Sequence, residues 1–153
     1  MISLQLSDVS HIIQLSIAPV FLVTGVGTNL MVLTNRLARI IDRSRKIEDV
    51  FIKSSDEPEN DALRSELDEL YERSHLINRA ITLSTACALL ICLVIAALFL
   101  GDATGLGLDK LIAALFVLGV LSLIGSFIYF LREIFVATKT LSRQRENGRK
   151  RHQ

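Results

Sequence analysis

Three stretches without a charged residue constrain this chain more than anything else in it. No Asp, Glu, Lys or Arg falls between His11 and Arg36, none from Ala80 to Leu100, and none from Leu111 to Leu131. Each run is about 20 residues or longer, the length an α-helix needs to cross roughly 30 Å of hydrocarbon. A soluble domain of 153 residues has no use for three such helices. In lipid the backbone must satisfy its own hydrogen bonds, which a helix does within the segment. The expected fold is therefore an all-α membrane protein, a single membrane domain over 1–153 with transmembrane helices at about 12–35, 80–100 and 111–131.

The charges lie outside the three runs and nearly cancel, at a formal net of +1. No global basic field argues for nucleic acid. Cys87 and Cys92 lie five apart on one helix and point in different directions, so they are not expected to pair. His11, His75 and His152 are far apart and build no ligand cluster with the cysteines. The first ten residues contain no Lys or Arg, so the basic start of a signal peptide is missing and the first run reads as a mature transmembrane helix.

Orientation follows from the basic residues beside each run, because Lys and Arg accumulate on the cytoplasmic side. None precedes the first run; Arg36, Arg39, Arg43, Arg45 and Lys46 follow it. Arg73 and Arg79 precede the second, and the connection 101–110 has one Lys against two Asp. Arg132 and Lys139 begin a basic series after the third. The expectation is N-terminus outside, segment 36–79 inside, connection 101–110 outside and C-terminus inside. The tail from about 140 to 153 is polar and basic, and is expected to fray or be disordered.

Segment 36–79 is more than a loop. Leu37, Ile40, Ser44, Ile47 and Phe51 alternate at spacings of three and four, as do Leu63, Leu67, Leu70, Ser74, Ile77 and Ile81. Both are heptad seams. Pro58 is placed to start a helix, with Asp56, Asn60 or Asp61 available to cap it. The reading is a cytoplasmic antiparallel coiled-coil hairpin that extends helices one and two, turns near Asp56–Asn60, and sets Leu37 against Ile77, Ile40 against Ser74, Ser44 against Leu70, and Ile47 against Leu67. From Glu48 to Glu72 it carries ten acids against two bases, while its roots are basic. The acidic tip suits cations or a basic cytoplasmic protein partner, or simply a soluble helical surface.

Helix one is unusually polar for a span. At about 100° per residue, Thr24, Thr28, Asn35, Arg39 and Asp42 share one face, opposite the seam. A mildly polar stripe ending in charges is what a pore lining in a homo-oligomer needs. The same residues also suit hydroxyls bonded back to their own helix. Asn29 falls on the seam side and is expected to make an interhelical polar contact with Ser84 or Thr85. Ser84, Ala88, Cys92 and Ala96 form a small-residue stripe on helix two; Gly119, Ser122, Gly125 and Ser126 form one on helix three. Both suit close packing.

The chain carries no nucleophile–base pair, metal-ligand cluster or dinucleotide motif. The GVG at 25–27 follows no strand, so it is not a phosphate cradle. No catalytic, cofactor-binding or metal-binding residue is expected, and no enzyme.

The strings IAPVFLVTGVGTNLMVLTNRLARIIDR (17–43), LINRAI (76–81) and FLREI (130–134) resemble the bacterial membrane family catalogued as Domain of Unknown Function 2721. The resemblance covers nearly the whole chain and implies a small bacterial inner-membrane protein with three spans. It implies no activity and transfers no site residue. Two functions are expected from the residues themselves: a homo-oligomeric pore or channel-like assembly lined by helix one, or a non-transporting scaffold or regulator presenting its hairpin to a partner.

Overall fold

A computed structural model describes residues 2–53, 57–105 and 107–150, with side chains at Ser10, 13–52, Asp61, 63–101, Gly105 and 107–138. The described residues form three helices: α1 (Ile2–Lys53), α2 (Glu57–Thr104) and α3 (Asp109–Lys150). Stretches Ile13–Ile52, Leu63–Gly101 and Asp109–Thr138 are long and apolar enough to cross a membrane. Their outward faces are apolar, with Phe21 73% and Leu89 62% exposed, surface that lipid tolerates and water does not. Three such helices make a multi-pass membrane protein.

Helix ends follow local chemistry. Pro58 lies in the first turn of α2, where its missing N–H costs no bond. That helix already begins at Glu57; residues 54–56 of the expected turn lie outside the described residues. Gly105, at φ 66°, follows the last residue of α2 in the left-handed conformation that ends many helices. At the start of α3, Ile112 N donates to Leu108 O at 2.9 Å. α3 is helical to Lys150, beyond residue 140, where the sequence predicts that fraying or disorder begins. Lys, Arg, Gln and Leu are good helix formers, and bases suit a helix C-terminus. Side chains beyond Thr138 lie outside the described residues.

Contacts divide the chain, read from sequence as one domain, into two compact units. Unit one comprises Met1–Met31 and Thr82–Gly125, and unit two Val32–Ile81 and Ser126–Gln153. In unit one, Val26, Cys87 and Ile91 are buried, with Leu22, Leu30 and Leu123 packed around them. Ser122 Oγ donates to Leu83 O at 2.8 Å. A Cβ on Gly119 would stand 3.1 Å from Ile91 Cδ1, and one on Gly125 3.2 Å from Leu83 Cδ1, so glycine lets α3 approach α2 closely.

In unit two, Leu33, Ile40, Ile47, Leu70, Ile77 and Ala80 form the core. Leu37, Leu63, Leu67 and Ile81 pack against it, and so do Tyr129 and Phe130 from α3. The arms of α1 and α2 run antiparallel: Arg64 lies over the Phe51 ring at 5.4 Å, and Arg43 Nη2 bonds Glu66 Oε1 at 2.7 Å. The seam serines satisfy their hydroxyls on their own helices, Ser44 on Ile41 O at 2.9 Å and Ser74 on Tyr71 O at 2.8 Å.

Burial recurs at every seventh residue. On α1 the row is Pro19, Val26, Leu33, Ile40 and Ile47, flanked by the half-buried row Leu22, Asn29 and Arg36. On α2 the rows are Leu70, Ile77, Ser84, Ile91 and, interleaved, Ala80, Cys87, Val94. On α3 the row is Gly119, Ser126 and Glu133. Seven residues are nearly two turns, so a face keeps its direction with about 20° of drift. A spacing of four instead gains about 40° per step. The small-residue stripe read on α2 accordingly slides out: Ser84 is buried, Ala88 half-buried, and Cys92 and Ala96 exposed.

Candidate functional site

Among the described residues the most unusual side chain is Glu133, fully buried at 0% exposure. Stripping a carboxylate of water costs several kcal/mol unless charge-assisted bonds replace the lost hydration. Two arginines supply those bonds within unit two. Arg36 Nη2 donates to Glu133 Oε2 at 2.7 Å. Arg73 donates to Glu133 Oε1 twice, from Nε at 3.1 Å and from Nη2 at 2.9 Å. The three charges come from three different helices, and each stands on a row of the seven-residue repeat. Arg36 follows Asn29 by seven, Arg73 precedes Ala80 by seven, and Glu133 follows Ser126 by seven.

Packing fixes the guanidiniums further. Arg36 lies over the Phe130 ring at 5.4 Å and Arg79 over the Tyr129 ring at 5.8 Å. Ser126 Oγ donates to Ala80 O at 2.8 Å, holding α3 against α2 within the same unit. Beside the bridge lies a cleft of about 310 Å³ lined by Arg36, Arg39, Ile40, Arg43, Leu70 and Arg73.

The residues expected from the sequence are placed as follows. Asn29 Nδ2 donates to Ser84 Oγ at 2.9 Å in unit one, while Thr85 is exposed on the same helix as Ser84. Thr24, Thr28, Asn35, Arg39 and Asp42 are all exposed. The hydroxyl of Thr24 bonds Val20 O at 3.1 Å and that of Thr28 bonds Thr24 O at 3.2 Å, both on their own helix. Of this stripe, Arg39 alone lines the cleft. Cys87 is buried and Cys92 exposed, both as free thiols. Among the described residues no group of three His, Cys, Asp or Glu side chains is placed to hold a metal ion.

Glu133 escaped the sequence reading. Its signals were present: it is an acid between Arg132 and Lys139 in a basic stretch, and it continues the seven-residue spacing of Gly119 and Ser126.

A family model described as Protein of unknown function (DUF2721) matches residues 16–143. The chain belongs to this family. The matched segment contains Arg36, Arg73 and Glu133 together with all five residues of the α1 stripe. Comparison with curated proteins and with solved structures gives no match. The DUF2721 assignment brings no chemistry of its own.

Proposed function

We propose that this DUF2721 protein is a non-transporting, non-enzymatic membrane scaffold, which braces a helical hairpin and presents it to a cytoplasmic protein partner. The observation that carries this reading is the bridge Arg36–Glu133–Arg73. It ties α1, α2 and α3 together at the base of the paired arms, where the chain leaves the uncharged runs. A bridge whose acceptor is buried holds one geometry, because opening it strands the Glu133 carboxylate out of water. Beyond it the arms pair through Ile40, Ile47, Leu70 and Ile77. The acids between Glu48 and Glu72 then give the far end a negative surface suited to a basic partner.

In this reading the arms and the C-terminus lie in the cytoplasm and the N-terminus outside, in a bacterial inner membrane; the Lys and Arg asymmetry supports the orientation. An impermeant thiol reagent on intact cells should label cysteines placed at Ser3 and Thr104 but not at Ser55. Label at Ser55 reverses the topology.

The bracing is tested with spin labels at Val50→Cys and Ser65→Cys in a chain freed of Cys87 and Cys92. A narrow distance distribution is expected, broadening when Glu133→Gln is added. An unchanged width refutes the bracing.

A pore remains as the second reading because the α1 stripe is exposed in one chain, where copies of the protein could meet. Against it, the Thr24 and Thr28 hydroxyls are already satisfied on their own helix and need no water. Liposomes containing the protein should show no ion flux above protein-free liposomes. Flux that falls with Thr28→Leu, together with a homo-oligomer, would install the pore instead.

A further inference from the structure

The cleft of unit two is lined by four arginines and two aliphatic residues, with no acid in its walls among the described residues. We propose that it binds a phosphate group, carried by the headgroup of an anionic phospholipid or by a soluble phosphoanion. This goes beyond the scaffold reading and stands whether or not that reading survives.

Three observations support it. First, the arginines are held in place before any ligand arrives. Glu133 grips Arg36 and Arg73, and Glu66 accepts from both Nε (3.0 Å) and Nη2 (2.7 Å) of Arg43. Guanidiniums fixed in advance lose little freedom on binding, and their planar N–H groups match phosphate oxygens. Second, charge is in surplus. Two carboxylates brace three guanidiniums, and the fourth, Arg39, is exposed with no ion-pair partner among the described residues. Each guanidinium has five N–H donors, so those spent on Glu133 and Glu66 leave others over. Third, the level is right for a headgroup. Arg36 is the first charge after the uncharged run, and Arg43 stands seven residues further, about 10 Å along the helix. The polar layer on each side of a bilayer is about 5–8 Å thick, so the cleft spans it. The Ile40 and Leu70 walls would meet the glycerol end of a lipid.

Native mass spectrometry of the full chain in detergent tests the site. The probes are dioleoylphosphatidylglycerol, dioleoylphosphatidylcholine, inorganic phosphate and glycerol 3-phosphate. Retention of phosphatidylglycerol over phosphatidylcholine is expected, weakened about fivefold by Arg39→Gln and again by Arg43→Gln. Arg39 and Arg43 are exposed and leave the Glu133 bridge intact, so helicity should not change. Arg45→Gln removes the same charge outside the cleft and should leave retention unchanged. If instead phosphate or glycerol 3-phosphate is retained and lost in the same two variants, the site is confirmed with a soluble ligand. The proposal fails if no phosphate-bearing probe is retained, or if Arg45→Gln weakens retention as much as Arg39→Gln.

Discussion

Unit one buries Val26, Cys87 and Ile91, closes on glycines at 119 and 125, and pairs two neutral side chains, Asn29 and Ser84. Unit two buries Leu33, Ile40, Ile77 and a carboxylate, and is laced by Arg36, Arg43, Arg73 and Arg79. The same seven-residue repeat runs through both, yet what holds each is different. In the proposed topology unit one lies in lipid, where separating two helices costs no hydrophobic penalty, so close approach and a weak polar bond must suffice. Where water can reach, apolar burial regains its full value and a buried charge needs its partners. Both units fill the repeat with aliphatics, but one adds glycines and a neutral polar pair and the other adds ion pairs.

The strongest test of that contrast is Glu133→Ala. It leaves Arg36 and Arg73 without their counter-charge, and a loss of about 3–5 kcal/mol is expected. Equilibrium unfolding in micelles, followed by helicity, measures it. A loss no larger than that of a neutral substitution in unit one would erase the distinction.

Next in size is a matched pair of truncations. Ile77→Ala in unit two should cost about 2–4 kcal/mol, from lost transfer energy and a cavity. Ile91→Ala in unit one should cost less than half as much, because lipid and protein interior are equally apolar and the packing loss alone remains. Equal losses would mean that unit one is not in lipid. Leu70→Asp belongs with the severe changes, since it sets an unpaired acid in the unit-two core.

Removing the neutral pair by Asn29→Leu should cost about 0.6 kcal/mol, and no more than about 1.7. The exposed pair Arg43–Glu66 should matter least, with a double-mutant-cycle coupling of about 0.2–1 kcal/mol that fades in high salt. A coupling above that of Asn29–Ser84 at high salt would contradict the assigned exposure.

Much of this was legible in the sequence, where one helix face answers to one rule. Charge-free length marks the three helices, and the seam through Leu33, Ile40 and Ile47 follows from periodicity alone. What escaped depends on distance along the chain. Glu133 meets partners 97 and 60 residues away, which no local spacing reveals. Tyr129 and Phe130 join the arm core for the same reason. The α2 stripe was read at a spacing of four, which suits one turn but drifts off the buried face over three. The Thr24–Asp42 stripe was legible as one face of α1, and all five of its residues are exposed.

The bridge also imposes an order of events on biosynthesis. Arg36 and Arg73 leave the ribosome well before Glu133, which follows Arg73 by 60 residues. At about 5–20 residues per second, the half-made protein spends roughly 3–12 s with both guanidiniums lacking their acceptor. The first two helices therefore wait for the third, and a nascent chain stalled before residue 133 displays two uncompensated charges at the place where helices should close. Both charges gain their acceptor only when the last helix docks.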